Sequence, residues 1–538
     1  MKKILSILFI SVFGFSSVLA NSITGFVRDA MSEEPLIGVN ISLSNSSIGA
    51  TTDYRGSFKI KGITSFPINL EISHVGYGTI NIQLSEPELN IVIALHKEPI
   101  LFDELIVTAS RSKEYQSKTP IISEIISRED IINSGTTDVA NLLKLKSGIF
   151  IEESIGGELV LKILGMDSKY ILVLLDGNII NGRFNNRVSL DQIHLDNIDR
   201  VEIIKGPSSS LYGSEAMAGV VNIITKEQSV NSISAYGRRD GNFNQHSNNK
   251  FQASDDYFGF DIRQNLKKSN YKINVNRSSL NKNKLIKPDE ISKTGKTAYD
   301  LRWNYPITDI QSVKFALTIY SQNDDYKSKL NQTNTEIERS DFSLKYKNMN
   351  FVHSLRASGY ERKYSQNRPW SNFYDSDDIT KEDLIEYELG YIKKFLSSTL
   401  SSGVEILYAN YESNRIKLGK QLVNNISFFG QLDTKHSLKL SSSVGMRFDR
   451  YSEYEAVVSP RIASMYNFNN YFKLRYSWGL GFRAPSFIER YIDWNHDQYG
   501  YRVKGNADLN PEKSNGSTIS LQYDGSKNYT IATTYYLT

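Results

Sequence analysis

The sequence contains no cysteine, which excludes a disulfide framework, a zinc site built on thiolates and a cysteine nucleophile. Histidine is also scarce, with 7 residues, and none begins an H-x-x-E or H-E-x-x-H pattern of the kind that holds zinc in peptidases. No other group of residues stands at a catalytic spacing. We therefore expect a protein that is not an enzyme and that has no resident metal ion or cofactor.

A large excess of charge of one sign and long apolar runs are missing as well. Lys and Arg number 63 and Asp and Glu 59, so the net charge of +4 gives no reason to expect nucleic-acid binding. Mean hydropathy is −0.37, and beyond residue 20 no apolar run approaches the ~20 residues that a membrane-spanning helix needs. Tyrosine (32) and phenylalanine (25) are frequent. This combination is typical of alternating strands in a membrane barrel, although a secreted β-sandwich would share it.

Residues 1–20 have the pattern of a secretory signal peptide. Two lysines follow Met1, an apolar stretch comes next, and small residues up to Ala20 supply a cleavage site. The segment ends in Gly and Ser rather than in basic flanks, which favours a signal peptide over a membrane anchor. We predict cleavage after Ala20 and an exported mature chain.

Residues 21–97 are predicted to form a small β-sandwich, because short strand-like runs are separated by Gly, Asn, Ser and Pro. The turn "TDYRGSF" at residues 52–58 carries Gly56 where a permissive backbone is needed. This turn, "GFVRD" at 25–29 and Gly76-Tyr77 resemble the motifs of the carboxypeptidase-regulatory-like domain. The resemblance implies an immunoglobulin- or transthyretin-like sandwich without peptidase activity.

Residues 116–227 read as mixed α and β, with helix starts at Ser127 and at Thr136–Thr137. The blocks "DVANLLKLKSGIFI", "LVLLDGNII" and "VEIIKGPSSSLYGSEAMAGVVNIITK" follow one another in this segment. In order and distance they resemble the plug domain of TonB-dependent outer-membrane receptors. Two positions differ from that family, since Leu164 and Lys205 stand where arginine is usual before glycine. Leu164 is expected to remove a charged contact with the barrel wall, and Lys205 to keep the charge without the planar fork.

Residues 228–538 are predicted to form strands that span a membrane. In "YFKLRYSWGLGFR" (471–483), apolar residues at 472, 474, 476, 478, 480 and 482 alternate with small, polar or basic ones. Such a period of two indicates one lipid-facing and one lumen-facing side. A soluble sandwich could contain one such strand, but the pattern recurs over some 300 residues with long polar loops. "GFRAPSFIERY" (481–491) and "GNADLNPEKS" (505–514) also resemble barrel blocks of the same receptors.

The expected fold is therefore mainly β, a transmembrane antiparallel β-barrel with an internal α/β plug and an N-terminal sandwich. The 311 residues of the barrel segment are too few for the 22 strands usual in this family, so 14 to 16 strands are expected. The chain also ends without the usual terminal aromatic residue. We expect the C-terminal part of the barrel to be missing from this sequence.

Residues 98–115 form a linker that contains Leu105, Ile106, Val107, Thr108 and Ala109. This apolar run could be one more strand of the N-terminal sandwich. With a plug behind it, however, it resembles a TonB box, the segment through which such receptors pair with the periplasmic protein TonB. The physical basis would be strand addition, favoured by the β-branched residues of an extended, unpaired segment. Flanking charges would keep that free strand soluble.

Ligand contacts are expected on the plug loop at 178–187, which the resemblance places on the outward side. Arg183, Phe184 and Arg187 could bind an anionic metal chelate through charge and stacking, although a solvated loop is the alternative. His496 could be a haem ligand, as in similar haem receptors, or a free loop histidine. Asp375, Asp377 and Asp378 could assist calcium binding or form a solvated acidic run.

The resemblance implies a receptor of the Gram-negative outer membrane that imports a scarce solute with energy transduced by TonB. An iron–siderophore-like chelate is the first expectation. Haem, cobalamin or oligosaccharide import is the alternative, and an oligosaccharide importer could have a surface lipoprotein partner. Two other classes stay open, a barrel-anchored surface binding protein without transport and a soluble carbohydrate-binding β protein.

Overall fold

The computed structural model describes residues 21–43, 48–63, 66–74, 77, 80–96, 105–109, 114–153, 159–182, 189–226, 231–244, 250–266, 269–281, 291–368, 373–469, 471–496, 500–524 and 530–537. The predicted signal peptide lies outside these ranges. The chain divides into two compact units, Met1–Asp103 and Glu104–Thr538. Within the described ranges, no helix has the length and apolar character that would let it span a membrane.

The first unit contains two small sheets that share one core. Its strands are β1 (Asn21–Asp29), β2 (Asn40–Leu43), β3 (Gly49–Thr51), β4 (Ser57–Ile63), β5 (Ile68–Ser73), β6 (Ile80–Leu84) and β7 (Ile91–Leu95). One sheet has the order β4-β1-β7 and the other the order β3-β2-β5-β6. Every second side chain points inward, so Ile68, Leu70 and Ile72 of β5 join the core while Glu71 is exposed.

The second unit opens with a mixed α/β domain, referred to below as the plug. Its elements are β8 (Leu105–Ile106), β9 (Glu114–Tyr115), β10 (Ser123–Ile126), α1 (Arg128–Ser134), α2 (Val139–Leu143), β11 (Ile149–Glu153), β12 (Leu159–Ile163), β13 (Ile171–Leu175), β14 (Asn178–Ile179), β15 (Ile198–Lys205), α3 (Ser209–Tyr212) and β16 (Gly219–Thr225). Short 3₁₀ helices occupy Gln116–Lys118, Ser168–Tyr170, Leu190–Gln192 and Leu195–Asn197. The central sheet has the order β10-β15-β16-β13-β14.

The first two plug helices begin at side-chain caps. Ser127 and Asp130 form a reciprocal capping box at α1, and Gly135 ends that helix at a φ of 62°. The second start differs by one residue from the prediction at Thr136–Thr137. Asp138 is the cap of α2 because its carboxylate accepts a hydrogen bond from the Asn141 N–H at 2.9 Å.

The remainder of the second unit is one antiparallel sheet that contains fifteen strands among the described residues. In chain order its elements are β17 (Ser232–Asn244), β18 (Lys250–Leu266), β19 (Ser269–Asn281), β20 (Ile291–Pro306), β21 (Gln311–Lys327), β22 (Gln332–Asn348), β23 (Phe351–Arg368), β24 (Phe373–Lys394), β25 (Ser398–Ser413), β26 (Lys420–Lys435), β27 (Leu440–Tyr451), β28 (Val457–Asn467), β29 (Phe472–Arg483), β32 (Glu512–Asp524) and β33 (Thr530–Leu537). The connection between β29 and β32 contains α4 (Phe487–Tyr491), β30 (Asp493–His496) and β31 (Tyr501–Lys504).

The sheet has two chemically distinct faces, as the alternation in the sequence predicts. Phe472 and Tyr476 of β29 are exposed on the outer face, while Arg475 and Ser477 are buried on the inner face. Phe482 departs from the prediction of a lipid-facing residue. It is fully buried because, near the end of its strand, it packs with Tyr451 and Val457.

The two ends of the sheet also differ. At one end, here called the short-turn end, connections such as residues 349–350 and 395–397 are brief. At the opposite, long-loop end, residues 484–511 join β29 to β32. Barrels of the outer membrane place short turns on one side of the bilayer and long loops on the other.

The core of the first unit generates a stability prediction. Leu70→Ala should lower the free energy of unfolding of this unit by about 2–5 kcal/mol, because it removes a fully buried side chain and leaves a cavity. The measurement is the urea dependence of proteolysis within residues 21–97 of the full chain, read by mass spectrometry. The neighbouring variant Glu71→Ala is the control, and an equal shift for both variants would contradict the assigned core.

Candidate functional site

The segment Leu105–Ala109 is docked on the plug. Leu105 and Ile106 pair with Tyr115 and Glu114 in the two-stranded sheet of β8 and β9. Ile106, Thr108 and Ala109 are fully buried. The expectation of an unpaired strand is therefore wrong for this conformation. The segment also does not extend a sheet of β1–β7 in the part of the chain that the structure describes.

One buried carboxylate holds the segment in place. Glu202 of β15 is fully buried, and its Oε2 accepts hydrogen bonds from Val107 N–H at 2.9 Å, Thr108 N–H at 2.8 Å and the Thr108 hydroxyl at 2.5 Å. The other oxygen, Oε1, accepts from Arg200 Nε at 2.8 Å. Hydrogen bonds to an ionised acceptor are among the stronger ones in proteins. The segment is therefore held by the Glu202 carboxylate, and its N–H and hydroxyl groups in turn stabilise that buried charge.

Two more plug side chains and one wall residue complete the docking of the segment. Tyr212 donates from its hydroxyl to the carbonyl of Thr108 at 2.9 Å, and Asn222 Nδ2 donates to Thr108 Oγ1 at 2.9 Å. Gln431 of β26 donates to the carbonyl of Ala109 at 3.2 Å. The short segment thus contacts β15, α3, β16 and the wall at once. Movement of the segment would disturb all of them.

A chamber of about 1010 Å³ lies beside this segment, between the plug and the wall. Val107 lines it, together with the plug hairpin at 175–180 and inner-face residues of β20 to β25. The wall residues that line it, such as Asn304, Ser343 and Val352, stand close to the short-turn end. Because Val107 belongs to the docked segment and also lines the chamber, we treat the two as one site.

An ion pair joins the plug hairpin to the wall of the chamber. Asp176 Oδ2 lies 2.5 Å from Arg302 Nη1, and Asp176 Oδ1 accepts from the Thr225 N–H at 2.9 Å. Burial alone would raise the pKa of Asp176, but the Arg302 guanidinium and the bonds from Thr225 outweigh it and hold the pKa below its ordinary value. Asp176 is therefore a charged contact at neutral pH.

The two departures from the family pattern serve the plug itself. Lys205 is buried, and its Nζ lies 2.6 Å from Glu124 Oε1 and 2.9 Å from the carbonyl of Ser147. Leu164 has a φ of 55° and packs against the apolar core of the plug. At position 164, where arginine is usual in the family, an apolar side chain thus contributes to the core of the plug.

Arg183, Phe184 and Arg187 lie in 183–188, outside the described residues. The backbone just before them runs along the wall, where Gly182 N–H donates to Glu382 Oε2 at 3.1 Å. A side chain at 182 would collide with the Tyr360 ring, because an added Cβ would lie 2.2 Å from it. Glycine at this position lets the hairpin approach the wall closely.

His496 ends β30, and its backbone pairs with Tyr501 in the hairpin of β30 and β31. Its side chain lies outside the described residues, as do those of Asp375 and Asp377. Asp378 is neither a solvated acid nor an open calcium ligand. It is buried between two arginines, with Oδ2 at 3.2 Å from Arg362 Nη1 and 2.5 Å from Arg415 Nη2.

Three carboxylates of the wall, those of Glu386, Glu388 and Glu405, approach within 4.8 Å of one another. Glu405 is already paired with Arg447 at 3.0 Å, and Glu386 faces Arg356 at 3.8 Å. Since both have cationic partners, this cluster belongs to the charge network of the wall.

Sequence reasoning missed the residues that hold the docked segment. Glu202 could have been suspected, because it stands alone as an acid among Val201, Ile203 and Ile204 in a buried strand. A charge in such a run needs partners. Tyr212, Asn222 and Gln431 carry no comparable signal.

The chain matches three families. Residues 227–538 match "TonB dependent receptor-like, beta-barrel", residues 116–220 match "TonB-dependent Receptor Plug Domain", and residues 23–107 match "CarboxypepD_reg-like domain". These matches confirm the resemblances that the motifs indicated.

Two relatives come from Vibrio cholerae. The iron-regulated outer membrane virulence protein is 24% identical over 473 residues, covering 78% of this chain and 66% of the relative. The vitamin B12 transporter BtuB is 26% identical over 448 residues, covering 78% of this chain and 67% of the relative. The chain thus spans about two thirds of the length of these relatives.

Solved structures share the fold. The siderophore receptor PirA from Acinetobacter baumannii superposes with a TM-score of 0.61 at 18% identity, covering 77% of this chain and 70% of that one. A variant of the ferric enterobactin receptor PfeA from Pseudomonas aeruginosa gives 0.62 at 16% identity, covering 80% and 72%. The predicted fold class, a mainly β chain with a large antiparallel sheet and a plug, is confirmed.

The docking geometry predicts that Glu202→Gln loosens the segment. The amide cannot serve as an ionised acceptor for three donors, so the labelling rate of a cysteine introduced by Val107→Cys should rise about tenfold or more. The chain has no natural cysteine, so a maleimide reports this position alone. Glu124→Gln, which removes a plug carboxylate that pairs with Lys205 rather than with the segment, is the control. An equal rise in both variants would indicate general loosening of the plug instead.

Proposed function

This chain belongs to the TonB-dependent receptors, and from that premise we propose that it binds a scarce extracellular solute and imports it into the periplasm. It is a protein of the outer membrane, and the proteins that it resembles include a vitamin B12 transporter and siderophore receptors. With the short turns on the periplasmic side, the chamber and the docked segment face the compartment in which TonB acts.

The observation that carries the proposal is the attachment of Leu105–Ala109 to Glu202 beside the chamber. In the proposed mechanism, TonB adds a strand to this segment and pulls it away from β9. Main-chain hydrogen bonds supply the affinity for TonB. Withdrawal removes the donors that Val107 and Thr108 give to Glu202 Oε2, while Oε1 stays paired with Arg200. A buried carboxylate oxygen without donors is costly, so we expect the plug to rearrange next to the chamber.

An iron–siderophore-like chelate is the solute that we favour. The support is the likeness to PirA and PfeA together with a charged chamber in which basic residues prevail. Cobalamin is the second candidate, because a vitamin B12 transporter is among the relatives. Haem would require His496, and an oligosaccharide would be consistent with a surface lipoprotein partner.

Arg183, Phe184 and Arg187 remain the proposed ligand contacts on the plug loop. The support is the course of the backbone at 181–182, which approaches the wall at Ser358 and Glu382 before this loop. These wall residues stand farther from the short turns than the chamber does.

The transport proposal predicts separate effects on binding and uptake. Val107→Pro removes the N–H needed for strand pairing and should reduce uptake of a radiolabelled ferric siderophore to roughly a tenth or less. Binding to the cell surface should not change. Val107→Ala keeps the N–H and should take up the chelate normally.

The assay uses cells that lack their own siderophore receptors, with and without TonB. A barrel-anchored binding protein without transport would instead show surface binding but no TonB-dependent uptake, even for the unaltered chain. Uptake of cobalamin without uptake of the chelate would identify cobalamin, the second candidate, as the solute.

A further inference from the structure

Besides the contacts of the plug hairpin at 176–182 described above, two arcs of contact fasten the plug to the wall. At the first arc, Asp196 and Asn197 are hydrogen-bonded to Tyr236 of β17 and Lys272 of β19. At the second, α3 and the residues after it contact β26 to β29, for example through Ser214 Oγ, which accepts from the Ala484 N–H at 2.9 Å. The chamber lies between these arcs, against β20 to β25.

Cationic side chains outnumber carboxylates in the lining of this chamber, nine to five. Most of the arginines are paired, as Arg302 is with Asp176. Lys226, Lys314 and Lys345 differ, because in the described part of the chain no carboxylate oxygen lies within 4.0 Å of their ammonium groups. The chamber therefore contains positive charge that the protein itself does not neutralise at contact distance.

Arg356 adds a second, independent observation. This side chain is only 3% exposed and lines the chamber. Its Nη2 lies 2.6 Å from Asp341, but its Nη1 makes no hydrogen bond to any described residue, and Glu386 Oε2 stands 3.8 Å away. A buried N–H without an acceptor is costly. A ligand oxygen in the chamber would supply that acceptor.

Lys226 shows the same excess of positive charge on the plug side. Burial, and next the nearby guanidinium groups of Arg128 and Arg263, lower its pKa to about 8. An anion in the chamber would relieve this repulsion.

We propose that the chamber is an internal binding site for an anionic solute, whose oxygen atoms contact Lys314, Lys345 and Arg356 during passage from the plug to the periplasm. This inference rests on the proposed function, and it deepens it by assigning negative charge to the solute. The ion pair of Asp176 and Arg302 lies at the same wall, where the plug hairpin meets it.

The transport test compares two iron chelates, a ferric tris-catecholate, which is a trianion, and a ferric trihydroxamate, which is uncharged. The double variant Lys314→Gln, Lys345→Gln should slow uptake of the trianion about tenfold or more, since it removes two charged contacts. Uptake of the uncharged chelate, and surface binding of either chelate on ice, should change less than about twofold.

Lys347→Gln is the matched control. Lys347 lies on the same strand as Lys345 and on the same face, two residues nearer the short turn, and it does not line the chamber. Equal losses for both chelates, equal losses in the control, or no loss for the trianion would overturn the proposal.

A second measurement does not depend on transport. The purified full chain is acylated with an amine reagent in the presence and absence of the ferric tris-catecholate, and each lysine is quantified by mass spectrometry. Protection of Lys314 and Lys345 but not of Lys347 supports the internal site. Equal labelling with and without the chelate contradicts it. If cells take up neither chelate, the proposed import function fails while this labelling result still decides the site.

Discussion

The contact between the Glu202 carboxylate and the backbone of Val107 and Thr108 connects most of what this protein is proposed to do. A fully buried carboxylate is tolerated only with donors around it, and this one takes three from a single short segment and two from Arg200. The same contact places Val107 in the lining of the chamber. A pull on the segment therefore acts first on β15, which carries Glu202, and on the lining of the chamber.

The wall imposes the second constraint. Lipid on the outer face requires apolar side chains, and the period of two then places polar and charged residues on the inner face. Where the plug covers that face, side chains of plug and wall meet directly, as at Asn197 and Lys272. Near the short-turn end of β20 to β25, the inner face borders a chamber with an excess of cations. Selectivity for the charge of the solute can thus arise from the inner-face residues that line the chamber.

Much of the fold could be predicted from local pattern. The alternation in 471–483 predicted a strand with two different faces, and Ser127 predicted the start of α1, because strand period and helix capping act over a few residues. Phe482 and the start of α2 were assigned wrongly. The burial of Phe482 is decided by its packing with Tyr451 and Val457, which the alternation of residues along the strand does not show. The start of α2 is decided by the hydrogen bond from the Asn141 N–H to Asp138.

The sequence by itself determined the order of the segments, the two faces of the strands and the position of Leu105–Ala109 ahead of the plug, since each depends on neighbours along the chain. Only the tertiary structure decided that this segment is docked rather than free, and that Lys314, Lys345 and Arg356 surround one chamber. These groups are far apart in sequence from the plug residues that they face. Their effect comes from burial and from the distances between charges, which exist only after the plug lies inside the sheet.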